Sequence, residues 1–198
     1  MIEDQQQPDR AKLYRFKLDK ILGRGGSGTV YRAIDTVSGA ILAVKLFHAN
    51  FFLSRIHRRD FAKSVEKNFN KLSHPNVVRV YEFITGDEGD CLTMDYVDGP
   101  DLKKYIALRP WNLDERLVIA AQICNGLQYI HDHGITHHDL KPANILFTRR
   151  GQVKLSDYSL TQTSLISALL DGSTHDQITP MYIAPELIQK QKITPQSD

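Results

Sequence analysis

Cysteine is scarce in this chain, and long apolar runs are missing. Only two cysteines occur among 198 residues, Cys91 and Cys124. Both stand in apolar surroundings, which predicts reduced core thiols in a reducing compartment rather than a disulfide framework. No apolar run approaches the length needed to span a bilayer, and residues 1–10 lack the apolar core of a signal peptide. We therefore expect a cytoplasmic protein with no membrane segment.

An excess of charge of one sign is also absent. The chain has 25 basic and 23 acidic residues, a formal net charge of +2. This balance predicts neither nucleic acid nor a membrane surface as a partner. An apolar fraction of 41% and a charged fraction of 24% are typical of a globular domain, and the length suffices for a core.

The first half of the chain predicts a small sheet. Residues 1–13, with three glutamines and a proline, are predicted to form a disordered lead-in. Short alternating or apolar runs separated by turn residues predict antiparallel strands within 14–22, 29–34, 41–47, 77–84 and 91–97. A basic helix is predicted over 51–72. Its apolar residues fall on one stripe, made of Phe61, Val65, Phe69 and Leu72.

The second half predicts mainly helix. Asn112 and Glu115 have the spacing of a capping box, which predicts a helix through about His131. Two short strand-like runs follow, NILFT and QVKLS, and then a segment over 158–183 without a clear period. The predicted buried stripe of the helix consists of Leu117, Ala120, Ala121, Cys124, Leu127 and Ile130. The predicted fold class is α+β, with a small antiparallel-sheet lobe carrying one helix, followed by a mainly helical lobe.

A glycine cluster lies between the first two predicted strands. Gly23–Val30 reads GRGGSGTV, and glycines let a backbone approach phosphate oxygens closely. Alone this signal is weak, because glycine runs are often only flexible turns. A dinucleotide-binding fold would continue into a helix, whereas strand residues follow here, which favours a hairpin lid. Lys45 ends a later apolar strand, where it either reaches solvent or needs a buried partner.

The most specific pattern is ITHHDLKPANILF at residues 135–147. Here Asp139 could accept a hydroxyl proton, Lys141 could meet phosphate charge and Asn144 could hold a metal ion. Asp157 ends a further short strand in LSDYS, and the run TPMYIAPE closes the pattern at residues 179–186. Together with the glycines and Lys45, five signals in this order argue against coincidence.

On these residues the chain resembles a Ser/Thr protein kinase domain, similar to bacterial members, over 14–198. The resemblance implies a small lobe at 14–94, a hinge at 95–100 and a partial large lobe at 101–198. It also implies ATP and Mg²⁺ as cofactors and a protein substrate with a Ser or Thr acceptor. Lys141 and Thr179 favour that acceptor over Tyr.

The resemblance also implies roles for individual residues. Asp139 would orient the substrate hydroxyl, and Lys141 would offset charge on the transferred phosphoryl group. Lys45 would contact the nucleotide phosphates, and Asn144 and Asp157 would hold the metal. The remaining nucleotide-binding positions would be Gly23, Gly25, Gly28, Val30, Ala43, Met94, Asp95, Val97, Asp101 and Leu146.

Four positions depart from the family pattern. His138 replaces an Arg that binds a phosphate on the activation loop in many kinases, which predicts activity independent of loop phosphorylation. Tyr158 and Ser159 replace Phe and Gly after the metal-binding Asp, which predicts altered switching. Val65 occupies the slot of the Glu that should pair with Lys45. Glu66 is the nearest acid, about 100° round the helix, and is expected to pair with Lys45 if the helix shifts. The hydroxyls available for modification in the loop are Thr161, Thr163, Ser164, Ser167, Ser173 and Thr174.

Asp198 matches the family's Asp that opens the central helix of the large lobe. We therefore expect an incomplete large lobe, with poor cover for the 113–131 stripe and the ILF strand and no Arg partner for Glu186. A second chain could supply the rest. Two alternatives to an active kinase stay open: a pseudokinase that binds nucleotide or acts as a scaffold, and an inactive truncated fragment. The apolar run at 165–170 could plug the site or dock a partner.

Overall fold

A five-stranded sheet with one helix precedes a mainly helical region. The computed structural model describes residues 15–49, 51–52, 54–85, 89–108, 110–158, 180–189 and 193–198. Within these ranges no helix is long and apolar enough to cross a membrane. The strands are β1 (Phe16–Gly25), β2 (Gly28–Asp35), β3 (Ile41–Phe47), β4 (Val80–Ile84), β5 (Cys91–Asp95), β6 (Ile145–Phe147) and β7 (Val153–Leu155). The helices are α1 (Arg55–Lys67), α2 (Leu102–Leu108), α3 (Leu113–Asp132) and α4 (Pro185–Ile188).

The large sheet is antiparallel throughout, as its alternating pattern predicts. Its strand order is β1-β2-β3-β5-β4, and β6 and β7 form a separate antiparallel pair. The β2–β3 turn is fixed by buried Asp35, which accepts bonds from Val37 N and Ser38 Oγ. The Arg15 guanidinium, 2.8 Å away, holds the pKa of Asp35 well below its ordinary value. This turn sets the register that brings Lys45 opposite Val30.

Helix α1 is shorter than the predicted 51–72. It begins after Ser54, whose side chain accepts a bond from His57 N at 3.2 Å, and a 3₁₀ turn follows its end at Lys67. Phe51 and Phe52 lie outside the helix because their rings pack with Phe47, at centroid distances of 4.8 and 5.2 Å. The predicted stripe is confirmed, because all four of its residues are buried.

Helix α3 confirms one prediction and corrects another. Asn112 and Glu115 form the predicted capping box. Most of the predicted buried stripe is nevertheless exposed: Leu117 is 58% exposed, and Ala120 and Ala121 are exposed with it. Only Leu127 and Ile130, at the end nearest β7, are covered. The apolar spacing is real, but among the described residues nothing packs against the first half of this face.

The prediction for the cysteines was right for one residue and wrong for the other. Cys91 is buried, and burial raises the pKa of its thiol to about 12. Cys124 is exposed, because it lies on the uncovered face of α3. The expectation that the ILF strand lacks cover was also wrong. Ile145 and Phe147 are buried, and the Tyr105 ring stacks on Phe147 at 4.4 Å.

The two regions are joined through residues 76–78, which run beside β7. Val78 N donates to Leu155 O at 2.8 Å, and Leu155 N donates to Asn76 O at 2.9 Å. The Asn76 side chain donates to Val153 O at 2.9 Å. The segment before β4 is therefore anchored to the strand that leads into Asp157.

Candidate active site

Asp198 holds the loop that follows α3. Its buried carboxylate accepts bonds from His137 N at 2.7 Å, His138 N at 2.9 Å and His131 Nε2 at 2.8 Å. These bonds support His138 at a φ of 66°, a conformation that costs energy for a residue other than glycine. Burial lowers the pKa of His138, so a neutral imidazole stands where the family pattern has a guanidinium. The sequence does not predict this anchor, because no local pattern links residues sixty positions apart.

The polar residues of the loop meet one another. Lys141 Nζ lies 2.8 and 2.7 Å from the two oxygens of Asp139. Asn144 Nδ2 donates to the backbone oxygen of Asp139 at 2.8 Å and to its carboxylate at 2.9 Å. Pro142–Asn144 forms a 3₁₀ turn that brings the amide back over Asp139. The Asp139 carboxylate is thus held by two donors from its own loop.

Lys45 forms an ion pair with Asp157, whose side chain is 25% exposed. Lys45 is 4% exposed, and its Nζ lies 2.6 Å from Asp157 Oδ1. Burial pushes the pKa of Asp157 upward, but the charge and the hydrogen bond of Lys45, together with the charge of Lys141, outweigh burial, and the pKa is lowered. Ser156 N donates to Asn144 O at 2.9 Å, which ties Asp157 to the loop. Lys45, Asp139, Lys141, Asn144 and Asp157 therefore belong to one site.

The structure does not bring Glu66 to Lys45. Val65 points into the core and is 2% exposed, whereas Glu66, the next residue round α1, is exposed. The phase of the helix explains this, because Phe61 and Val65 must share the buried face. The expected Lys45–Glu66 pair is absent, and Lys45 pairs with Asp157 instead.

The glycine cluster forms the predicted hairpin. Gly25 pairs with Gly28 at the end of β1 and β2. A Cβ at Gly28 would overlap the carbonyl oxygen of Leu46, so packing against β3 requires this glycine. Gly23 and Gly25 face open space. His48 holds the tip, because its N donates to Ser27 O at 3.1 Å and its ring lies 3.1 Å from Gly26 O.

Five of the predicted nucleotide-binding residues come together between the two regions. Ala43 pairs with Met94 across β3 and β5, and both are buried in one cluster. Val30, Val97 and Leu146 are partly buried against that cluster. Apolar surface from both regions therefore meets beside Lys45, as a planar base requires.

The two predicted acids near the nucleotide have other partners for their side chains. The carboxylate of Asp95 accepts a bond from Tyr81 OH at 2.6 Å and lies 3.2 Å from Lys154 Nζ. Asp101 caps α2 by accepting from Lys104 N at 2.8 Å, and its backbone pairs with Leu146. The backbone amide of Asp95 is also engaged, because it donates to Arg79 O at 2.9 Å.

Tyr158 is buried behind Asp157. Its side chain is 2% exposed, and its hydroxyl donates to Val78 O at 3.0 Å. Its ring packs edge-to-face with the ring of Phe69, at a centroid distance of 5.8 Å. Burial raises the pKa of the hydroxyl well above its ordinary value, so it is a donor at neutral pH. The sequence signalled a departure here but not the acceptor, which lies 80 residues upstream.

Several predicted features fall outside the described residues. These are the lead-in at 1–13, Ser159, the six modifiable hydroxyls, the apolar run at 165–170 and Thr179. Glu186 is described, and its carboxylate accepts a bond from Ser197 Oγ rather than from an Arg. That bond lowers the pKa of Glu186.

Comparison with known proteins agrees with this geometry. The model of the protein kinase domain family matches residues 16–198, so the chain belongs to the protein kinase family. It is 34% identical to a probable serine/threonine-protein kinase PknB of Lactococcus lactis, over 93% of this chain and 29% of the relative. It is 29% identical to the serine/threonine-protein kinase PrkC of Bacillus subtilis, over 93% of this chain and 28% of that protein. The chain thus spans less than a third of the length of these relatives.

A solved structure gives the same fold. The kinase domain of Mycobacterium tuberculosis PknI superposes with a TM-score of 0.74 at 24% identity. The match covers 93% of this chain and 69% of the PknI domain. The chain therefore has the two-lobed kinase fold that its residues predicted.

Proposed function

We propose that the chain transfers the γ-phosphoryl group of ATP to Ser or Thr hydroxyls of protein substrates. The observation that carries this proposal is the convergence of the Lys45–Asp157 ion pair on the Asp139–Lys141–Asn144 loop. The division into a small lobe at 14–94, a hinge at 95–100 and a large lobe from 101 belongs to the same proposal.

Each charged side chain has a task in such a transfer. Asp139, held by Lys141 and Asn144, accepts the proton of the attacking hydroxyl. Lys141 lies close enough to that carboxylate to neutralise charge that develops beside it. Lys45 contacts the nucleotide phosphates from β3, the strand that pairs with the glycine hairpin. Ala43, Met94 and Leu146 supply apolar surface for the base.

The residues present suit Mg²⁺. Asn144 commits its amide nitrogen to Asp139, so its amide oxygen is the atom that it can offer a cation. Asp157 offers a carboxylate that its lowered pKa keeps ionised at neutral pH. Oxygen ligands of these two kinds are those that Mg²⁺ prefers. When bound, the ion would be held by Asn144 and Asp157 and would offset the negative charge of the phosphate groups.

The decisive experiment is phosphoryl transfer from labelled ATP to a Ser/Thr peptide mixture. Asp139→Asn should reduce the rate by about 10²-fold or more, because the base is lost while the shape is kept. Asp132→Asn is the matched control, since Asp132 is exposed at the end of α3 and its carboxylate accepts a bond from Gln128 of the same helix. Equal rates for wild type and Asp139→Asn would reject the proposal.

A pseudokinase is the second candidate, and one observation favours it. Val65 leaves Lys45 without the acidic partner on α1 that the family pattern expects. Under this alternative the chain binds nucleotide and transfers nothing. Nucleotide binding combined with the absence of transfer in the preceding assay would select it.

We further propose that additional polypeptide covers α3, in the same chain or a second one. The exposed apolar residues Leu113, Leu117 and Val118 support this, because contiguous apolar surface of this kind marks an interaction face. We also propose a cytoplasmic location, which the two free thiols favour.

A further inference from the structure

Two bonds bracket Asp157, and both end on Val78. Leu155 O accepts from Val78 N at 2.8 Å, and Tyr158 OH donates to Val78 O at 3.0 Å. Residues 155 and 158 are thus tied to the amide and the carbonyl of one upstream residue. Ser156 and Asp157 are the only residues between the two ties.

The backbone inside this bracket needs support. Asp157 has a φ of 60°, in the left-handed region that residues other than glycine rarely adopt. Such a conformation persists only where the surroundings hold it in place. The ion pair with Lys45 holds its side chain, and the bracket holds the chain on either side.

The anchor itself is firm. Val78 is 1% exposed, and Asn76, two residues before it, bonds both Leu155 N and Val153 O. A hydroxyl bonded to a carbonyl on such a segment has a fixed partner, and a buried carbonyl deprived of its donor is costly. A phenylalanine at position 158 would fill the same space and leave Val78 O without that donor.

We propose that Tyr158 is a positioning residue: its hydroxyl, bonded to Val78 O, fixes Asp157 in the orientation that faces Lys45 and receives the metal. This rests on the proposed function in that Asp157 is taken as a metal ligand. The Tyr158–Val78 bond also anchors residues 155–158 from within the protein. The usual anchor through a phosphate on the activation loop is missing, because His138 has no guanidinium to bind it.

The test compares Tyr158→Phe with two matched controls in the whole chain. Tyr129→Phe also removes a hydroxyl bonded to a backbone group, but that hydroxyl accepts a bond from Ser73 N at 3.0 Å and not one at Val78. Phe69→Leu trims the ring that packs on Tyr158 and leaves the hydroxyl in place. Thermal melting of every variant establishes that it folds.

The first readout is the Mg²⁺ dependence of binding of AMP-PNP, a non-hydrolysable ATP analogue. Tyr158→Phe should raise the Mg²⁺ concentration for half-maximal binding about tenfold, the effect of one lost buried bond, while affinity in EDTA stays within about twofold. Neither control should shift the Mg²⁺ midpoint. An unshifted midpoint in Tyr158→Phe, or the same shift in Phe69→Leu, would overturn the proposal.

The second readout needs no nucleotide. Hydrogen exchange of the amides of residues 155–158 should be about tenfold faster in Tyr158→Phe than in wild type or Tyr129→Phe. If wild type binds no Mg²⁺-nucleotide, the proposed function fails and exchange alone decides: faster exchange supports the anchor, and unchanged exchange rejects it.

Discussion

At the scale of single residues, the partner of Lys45 is the feature with the clearest consequence for activity. Lys45→Met should reduce phosphoryl transfer by about 10²-fold or more, because a preorganised charge in a buried site is lost. Glu66→Gln should change it by less than about twofold, since exposed carboxylates contribute little. Initial rates at saturating Mg²⁺ATP measure both. A loss in Glu66→Gln comparable to that in Lys45→Met would mean that α1 rotates in the working state.

Two glycines of one hairpin differ in a way that mutation can measure. Gly28→Ala should cost about 1–3 kcal/mol, because its Cβ would overlap Leu46 O and the strands must move apart. Gly25→Ala, whose Cβ would face open space, is the matched control for unfolding. Urea unfolding of both variants tests this. Equal free energies of unfolding for the two variants would show that the hairpin accommodates a Cβ at position 28 without loss of stability.

At the scale of secondary-structure elements, the apolar face of α3 is buried at the C-terminal end of the helix and exposed at its N-terminal end. Ile130→Ala should destabilise the chain by about 2–5 kcal/mol, because its side chain is 0% exposed. Leu117→Ser should change the free energy of unfolding by about 0.5 kcal/mol or less, as at other exposed sites. Denaturant midpoints compare the two. A large loss in Leu117→Ser would mean that the face is covered in solution.

The same helix shows which parts of the fold a sequence can predict. The capping box of Asn112 and Glu115 was predictable because both partners lie within one turn. The apolar stripe was visible too, but burial depends on what packs against it, and a periodicity carries no such information. The site follows this division. Asp139, Lys141 and Asn144 are local and were found together, whereas the Val78–Tyr158 and Asp198 contacts are distant and were not.

At the scale of the whole molecule, buried histidines tie stability to pH. Burial lowers the pKa of His137, although Asp198, Asp139 and Asp157 face it and act in the opposite direction. Burial also lowers the pKa of His74 and of His138. The unfolded chain therefore binds more protons than the folded chain once the pH falls below the ordinary histidine value of about 6.5.

Stability should consequently be retained above about pH 6.5 and lost as the pH falls below it, by at most about 1.4 kcal/mol per pH unit for each such histidine. Thermal melting at about pH 7.5, 6.5 and 5.5 measures this. His137→Gln should flatten this dependence on pH. A midpoint that rises on acidification would contradict the assignment of neutral buried imidazoles.

The carboxylate of Asp198 also imposes an order on biosynthesis. The amides that it binds, at His137 and His138, leave the ribosome about sixty residues earlier, and at about 5–20 residues per second that interval lasts about 3–12 s. During it, the strained backbone at His138 has no acceptor for its N–H. The nascent chain can therefore build its sheet well before the loop that carries Asp139 acquires its final shape.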